Sequence, residues 1–184
     1  MFSGRCSLLK RWLVWLSRIH LCRGFGIQSP KDYAFVRYVI NEHWPYYAYD
    51  KLSSDSWLTR KLGRLYLRLA NWRQPTWMPD DEYRQWWQAG CQKTRFVVPE
   101  DAWDGEESQI TLELARVDIT DDKERWINRC NADSIIVVEG INNDWLRWHD
   151  LEQDDRVGTT FDLYYCGVLL FDKNRYNHHY RVNF

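Results

Sequence analysis

The chain has 184 residues, of which 45% are hydrophobic and 28% charged, and its formal net charge is -1. Such a length predicts one folded domain with a core of its own and no strong need for disulfides or a metal to hold it. No apolar run approaches the length of a membrane span, and five scattered Cys without a C-x-x-C pair argue against a zinc knuckle or a disulfide scaffold.

That odd Cys count predicts a reducing compartment. Lys10, Arg11 and Arg18 interrupt the apolar stretch of the opening segment, which therefore does not read as a signal peptide, and the expected location is cytoplasmic. The small net charge hides a polarity: the chain is basic in balance before Pro99 and acidic from Glu100 to Asp155. A basic half that does not face the acidic one can meet phosphate or an anionic surface; a solvated surface of mixed sign is the simpler reading. Twelve Trp and eleven Tyr favour half-buried and interface positions, since both carry a polar handle on an apolar body.

In chain order, Ser7 to Leu21 reads as an amphipathic helix, with Leu8, Leu9, Trp12, Leu16 and Ile19 on one side. Docking on its own domain or on a second copy is favoured over contact with an anionic membrane. Ser29, Pro30 and Asp32 form a helix start ahead of the stripe Phe35, Val36, Val39 and Ile40. The aromatic run Trp44 to Tyr49 ends that helix; a stacking platform is possible there, and a structural role is preferred. Leu58, Leu62, Leu65, Leu69 and Trp72 define a third helix with Ser54 and Asp55 as caps and a basic outer face of Arg60, Lys61, Arg64 and Arg68. No RNP, zinc or helix-turn-helix motif accompanies that face, so no specific nucleic-acid motif is read from it.

Pro75 and Pro79 stop the pattern. Asp80 to Gln88 predicts a short helix with Tyr83, Trp86 and Trp87 inward, and Arg95 to Val98 a short strand. Glu100 to Gln109 reads as a loop. Ile110 to Leu114 alternates as an edge strand would, a helix being the alternative, and Thr120 is the expected cap of a helix running to Cys130. The tail is the clearest region. Ser134 to Glu139 is an interior strand, then Asn142 or Asn143 caps a helix marked by Trp145, Trp148 and Leu151. Val157 to Leu163 and Val168 to Phe171 follow too closely to cross over, which makes the last strands antiparallel, and Tyr180 to Phe184 closes the chain.

Several of these stretches carry a resemblance. Gly24-Phe-Gly-Ile-Gln-Ser-Pro30, Pro45-Tyr-Tyr-Ala-Tyr49 and Lys61 to Pro75 resemble the front part of bacterial class I S-adenosylmethionine-dependent methyltransferase-like proteins of the Bacteroides type. Ile135 to Glu139, Arg156 to Leu163, Cys166 to Phe171 and Arg181 to Phe184 resemble the end of that family. The resemblance implies a fifth strand, its helix and a final hairpin of a doubly wound sheet. It also implies an acidic-Leu-Gly motif right after Pro75, whose glycines would let the backbone curl under the cofactor. Here Thr76-Trp-Met-Pro-Asp80 stands instead, and residues 76–133 are too few for three βα units of about 30 residues each.

The expected object is therefore a single α/β domain, with a helical front over residues 1–75, a divergent middle over 76–133 and a strand-helix-strand-strand tail over 134–184. Its sheet is expected to be a reduced Rossmann-like one ending in a C-terminal antiparallel hairpin. The favoured function is a non-catalytic methyltransferase-like binding or structural module, without cofactor or metal, paired as a homo-oligomer through aromatic helical surface. One alternative is a methyltransferase that holds S-adenosylmethionine in a remodelled pocket, with Glu139 as the catalytic candidate and Glu139, Asn142 and Asn143 as cofactor-binding candidates. Another is a membrane-peripheral protein held by Ser7 to Leu21. The pair His178-His179 points to opposite faces of a strand and cannot readily chelate one ion. Neither Asp121-Asp122 nor Asp154-Asp155 fits a calcium loop. Cys166 lacks the surroundings of a nucleophile elbow, and Asp162 is expected to pair with Arg156 or Arg175 across the hairpin.

Overall fold

The computed structural model describes residues 8–24, 26–52, 56–172 and 178–184. Ser7, the cap candidates Ser54 and Asp55, and Arg175 lie outside the described residues. Helices come first and the main sheet last, in a mixed α/β fold.

The first helix, α1 (Leu8–Ser17), buries none of its residues. It is shorter than predicted and gives way to a 3-10 turn over Ile19–Gly24, because Arg18 turns back to the sheet and bonds Asp162. Helix α2 (Pro30–Phe35) starts as its sequence dictates, with Ser29 Oγ accepting the Asp32 N–H and Pro30 in the first turn. It widens into a π-helical turn over Val36–Ile40. The carbonyls of Val39 and Ile40 that this turn leaves open are taken by the Arg68 guanidinium, at 2.5 and 2.9 Å. Arg68 is thus buried, and the expected basic outer face of the third helix loses one member to the core.

After the single turn α3 (Ala48–Lys51) comes the longest helix, α4 (Trp57–Arg73). Leu62, Leu65 and Leu69 are buried as their spacing predicts, whereas Trp72 is half exposed. Ser56 is the cap, accepting the Thr59 N–H, and Gln74 in the left-handed region ends the helix before Pro75.

The middle is more structured than its sequence suggests. Strand β1 (Trp77–Pro79), helix α5 (Arg84–Gly90) and strand β2 (Arg95–Val97) follow, with Tyr83, Trp86 and Trp87 inward as expected. Helices α4 and α5 approach closely at two glycines. A Cβ on Gly63 would enter the Trp86 indole, and one on Gly90 would meet the Leu67 carbonyl. The predicted loop from Glu100 to Gln109 is instead helix α6 (Pro99–Trp103) and a 3-10 turn over Glu106–Gln109. Pro99 sits in its first turn, Glu100 and Asp101 favour its N-terminal dipole, and Ala102 is buried. Strand β3 is Leu112–Asp118 and helix α7 only Glu124–Ile127. Thr120 does not cap α7: its hydroxyl bonds Asp118, and Asp122 accepts the Glu124 N–H.

Strand β4 (Cys130–Glu139) begins before Ser134, but its pairing with β3 is broken between Leu112 and Leu114 and becomes regular only from Ile135. The Ser134 hydroxyl fills the break, donating to the Leu112 carbonyl and accepting the Asn131 N–H. This irregularity sends Leu112 and Leu114, two residues apart, into different cores. Helix α8 (Trp145–Glu152) is capped by Asp144, whose carboxylate accepts the Arg147 N–H, and not by Asn142 or Asn143. Strands β5 (Thr159–Asp162) and β6 (Cys166–Leu170) form the antiparallel hairpin, and β7 (His178–Arg181) lies parallel to β5.

The main sheet has five strands in the order β3-β4-β6-β5-β7, with β3 and β4 parallel and β6 antiparallel to both neighbours. Strands β1 and β2 form a separate parallel pair, and β1 runs alongside β3. Both faces of the sheet are covered. One core joins α2, α4 and α5 to Leu114, Val137, Phe161 and Val168; the other joins α6, α7 and α8 to Ala115, Val117, Ile136 and Leu169. Trp148 of α8 lies directly on Gly167 of β6, where any side chain would collide with its ring.

Candidate functional site

Alternation in the paired strands sends Arg116 and Glu139 to the same face as Leu114 and Val137, toward α4 and α5. Arg116 comes near the end of β3 and Glu139 ends β4, while the turn after β1 supplies Asp81 and Glu82. These residues meet. The Arg116 guanidinium lies 3.1 Å from Asp81, 3.2 Å from Glu82 and 3.5 Å from Glu139. From α4, the Tyr66 hydroxyl donates to the other Glu139 oxygen. Asp81 also accepts the Tyr83 N–H at 2.7 Å and the Trp87 indole N–H at 3.0 Å. Rings wall the cluster: Tyr66 stacks on Trp87 with centroids 4.4 Å apart, and Tyr83 meets Tyr66 edge-on at 4.8 Å.

Burial decides the protonation chemistry here. It pushes the Glu139 carboxyl above the usual carboxylate range, opposed by the Tyr66 bond and the Arg116 charge. Asp81 is raised for the same reason, and Arg116 draws it back. Burial next to Glu139 holds the Tyr66 phenol well above its ordinary value, so it acts as a donor and stays protonated. Both Glu139 oxygens are thereby occupied, one by a phenol and one by a guanidinium. The arrangement is a largely buried ion-pair network in which Asp81 and Glu139 are both bonded. The network opens onto a crevice of about 300 Å³, walled by Asp81 and Arg116 together with Asp80, Pro99, Trp103 and Asp118.

Of the residues singled out in the sequence, Glu139 is in this network. Asn142 and Asn143 are in the next turn, where the Asn142 amide donates to Asn143 at 3.0 Å and the Asn143 N–H bonds the Gly140 carbonyl. Asp162 corrects its expected pairing. It is buried and held bidentately by Arg18 at 2.9 and 2.8 Å, while Arg156 goes to Glu124 and Asp154. The two His side chains of β7 alternate as expected; His179 meets Thr160 at 3.1 Å. Cys91, Cys130 and Cys166 are free thiols, and burial raises the Cys166 thiol well above its ordinary value. Among the described residues no group of His, Cys, Asp and Glu is arranged to hold a metal ion, and no helix is long and apolar enough to cross a membrane.

Sequence reasoning missed Asp81, Arg116, Tyr66 and Tyr83. The available signal was Arg116, a lone charge between the apolar residues Ala115 and Val117 of a strand, which requires a partner on the covered face. No family model, curated protein or solved structure matches the chain.

Proposed function

We propose that this chain is a non-catalytic, methyltransferase-like α/β module whose cofactor crevice is filled by its own side chains and which acts by binding. The observation that carries this reading is the Arg116 guanidinium, set among Asp81, Glu82 and Glu139 at the strand ends where a doubly wound sheet would open its ligand crevice. The strand arrangement supports a reduced Rossmann-like sheet: β2 and β1 lie beside β3, and β6 is antiparallel between β4 and β5.

S-adenosylmethionine does not fit the residues present. After β1, Asp80, Asp81 and Glu82 stand where glycines would let the backbone approach the cofactor. Strand β2 ends on Val97, followed by Val98 and Pro99, with no carboxylate at its end to accept ribose hydroxyls. The crevice that remains, about 300 Å³, is at the lower bound of roughly 300 Å³ for ligand pockets. The alternative enzyme reading needs Glu139, Asn142 and Asn143 free, and all three are engaged with neighbours. Isothermal titration with S-adenosylmethionine tests the proposal. No heat up to millimolar concentration is the expected result, and micromolar binding overturns it.

A second reading, a membrane-peripheral protein, has its own observation. Helix α1 buries nothing, and Leu9, Trp12, Leu13 and Leu16 are each more than half exposed. A helix with Trp and Leu on one face and Lys10 on another suits the interface of an anionic bilayer. Co-sedimentation with phosphatidylserine vesicles, lost on Trp12→Ser with Leu16→Ser, is the result that this reading requires; full-length protein that stays in the supernatant removes it.

A further inference from the structure

Apart from the crevice at the Arg116 network, a cleft of about 870 Å³ opens between α4, the segment after the π-helical turn, and α1. This is within the range of roughly 300–1,000 Å³ typical of small-molecule sites. Its floor is basic. Lys61 puts its ammonium 4.4 Å from the Phe184 ring and 5.2 Å from the Trp57 ring, and Arg64 lies over Tyr49 at 4.8 Å. Arg60 is exposed one position before Lys61 on the same helix. Among the described residues none of these three cations has a carboxylate counter-ion, unlike Arg18, Arg116 and Arg156 elsewhere in the fold.

One further donor of the cleft also lacks an acceptor. Asn41 is nine-tenths buried in its wall, and its amide nitrogen has no partner among the described residues. Arg11, outside the cleft lining, stacks 3.8 Å over the Trp57 ring. The carboxylates that line the cleft are Glu42, which accepts from Tyr46, and exposed Asp50. At the rim Trp44 is 71% exposed. A large ring left so open, in a cleft whose cations lack carboxylates among the described residues, has an apolar face to offer.

We infer that this cleft binds a nucleotide, with its phosphate on Arg60, Lys61 and Arg64 and its base stacked on Trp44. A phosphate supplies several acceptor oxygens to donors that otherwise have none, and every base offers a π-face to an exposed indole. The size of the cleft favours a mononucleotide over a polymer, since the carboxylates of Glu42 and Asp50 interrupt its basic surface. The site is separate from the Arg116 network, and its occupancy does not depend on whether that network excludes a cofactor.

Lys61 also gives the site a pH dependence. Burial above all, with repulsion from the Arg68 guanidinium, pushes its ammonium down to about 8. Arg60, Arg64, His43, Glu42 and Asp50 face the same space. The ammonium is charged at neutral pH, so affinity for a phosphate weakens as pH rises through about 8.

Isothermal titration of the full chain with GMP tests the inference, using inorganic phosphate as the second probe. The expected result is submillimolar GMP binding, tighter than that of phosphate alone. Trp44→Ala should weaken GMP by about tenfold and leave phosphate unchanged. Arg60→Gln with Arg64→Gln should weaken both ligands by about tenfold or more. All three side chains are exposed, so their loss leaves folding intact, which far-ultraviolet circular dichroism checks. Absence of GMP binding at millimolar concentration overturns the inference, and so does binding that these changes leave untouched. A single-stranded oligonucleotide that binds tighter than GMP and depends on the same residues overturns the mononucleotide assignment.

Discussion

Replacing Arg116 with Met keeps an unbranched apolar stem and removes the cation that, among the described residues, Asp81 and Glu139 share. The side chains of Arg116, Asp81 and Glu139 are 21%, 12% and 17% exposed, whereas Glu82 at 71% is solvated and contributes little. The variant therefore leaves two largely buried carboxylates without their counter-ion. Breaking a buried pair in this way destabilises by about 3 kcal/mol at neutral pH. The loss depends on pH with a definite sign. Burial already holds both carboxyls above the usual range while Arg116 pulls them down, so without it both rise further. Where the native state binds a proton that the unfolded state has released, stability falls as pH rises. The deficit relative to the parent is accordingly small near pH ~4.5 and grows toward pH ~7.5. Urea unfolding of both proteins, followed by circular dichroism at those two pH values, measures it. An equal deficit at both values, or one below about 1 kcal/mol at the higher pH, refutes the description of the network as charged, buried and mutually compensating.

Tyr66→Phe removes the phenol donor to Glu139 and is expected to destabilise by about 1–2 kcal/mol at neutral pH and by less in acid, measured by the same unfolding series. Asp162→Asn breaks the buried bidentate pair with Arg18 and should lose about 3 kcal/mol of stability. It should also speed limited proteolysis within residues 8–24, because that pair fixes the base of α1 to the sheet; an unchanged Tm and cleavage rate would reject this role. Gly167→Ala drives a methyl group into the Trp148 ring and is expected to cost about 1–3 kcal/mol, seen as a lower Tm.

The tail was the most legible part of the sequence. Ile135 to Val138 are β-branched and continuous, which suits a strand covered on both faces, and they lie in an interior strand paired with β3 and β6. The short link from Asp162 to Cys166 leaves no chain for a crossover, so the hairpin followed from length alone. Ser29 and Pro30 also announced their helix, because a cap is a local interaction. The middle was misread where local signals were weak. Acidic, polar Glu100 to Gln109 resembles a solvated loop, yet Ala102 is drawn into the core with Trp77 and Leu112 and fixes a helical turn. Arg156, close to Asp162 in sequence, bonds Glu124 and Asp154 instead, whereas Arg18, from far earlier in the chain, reaches Asp162 in space.

By itself the sequence determined the elements whose cause is local: the α4 stripe, the helix start at Ser29, the interior strand and the hairpin. Only the tertiary structure decided which charges are paired. Arg116 and Arg68 became internal counterweights while Arg60, Lys61 and Arg64 kept no carboxylate partner among the described residues. The physical reason is that side-chain periodicity tells which face a residue takes, but an electrostatic partner comes from whatever other element folds against that face.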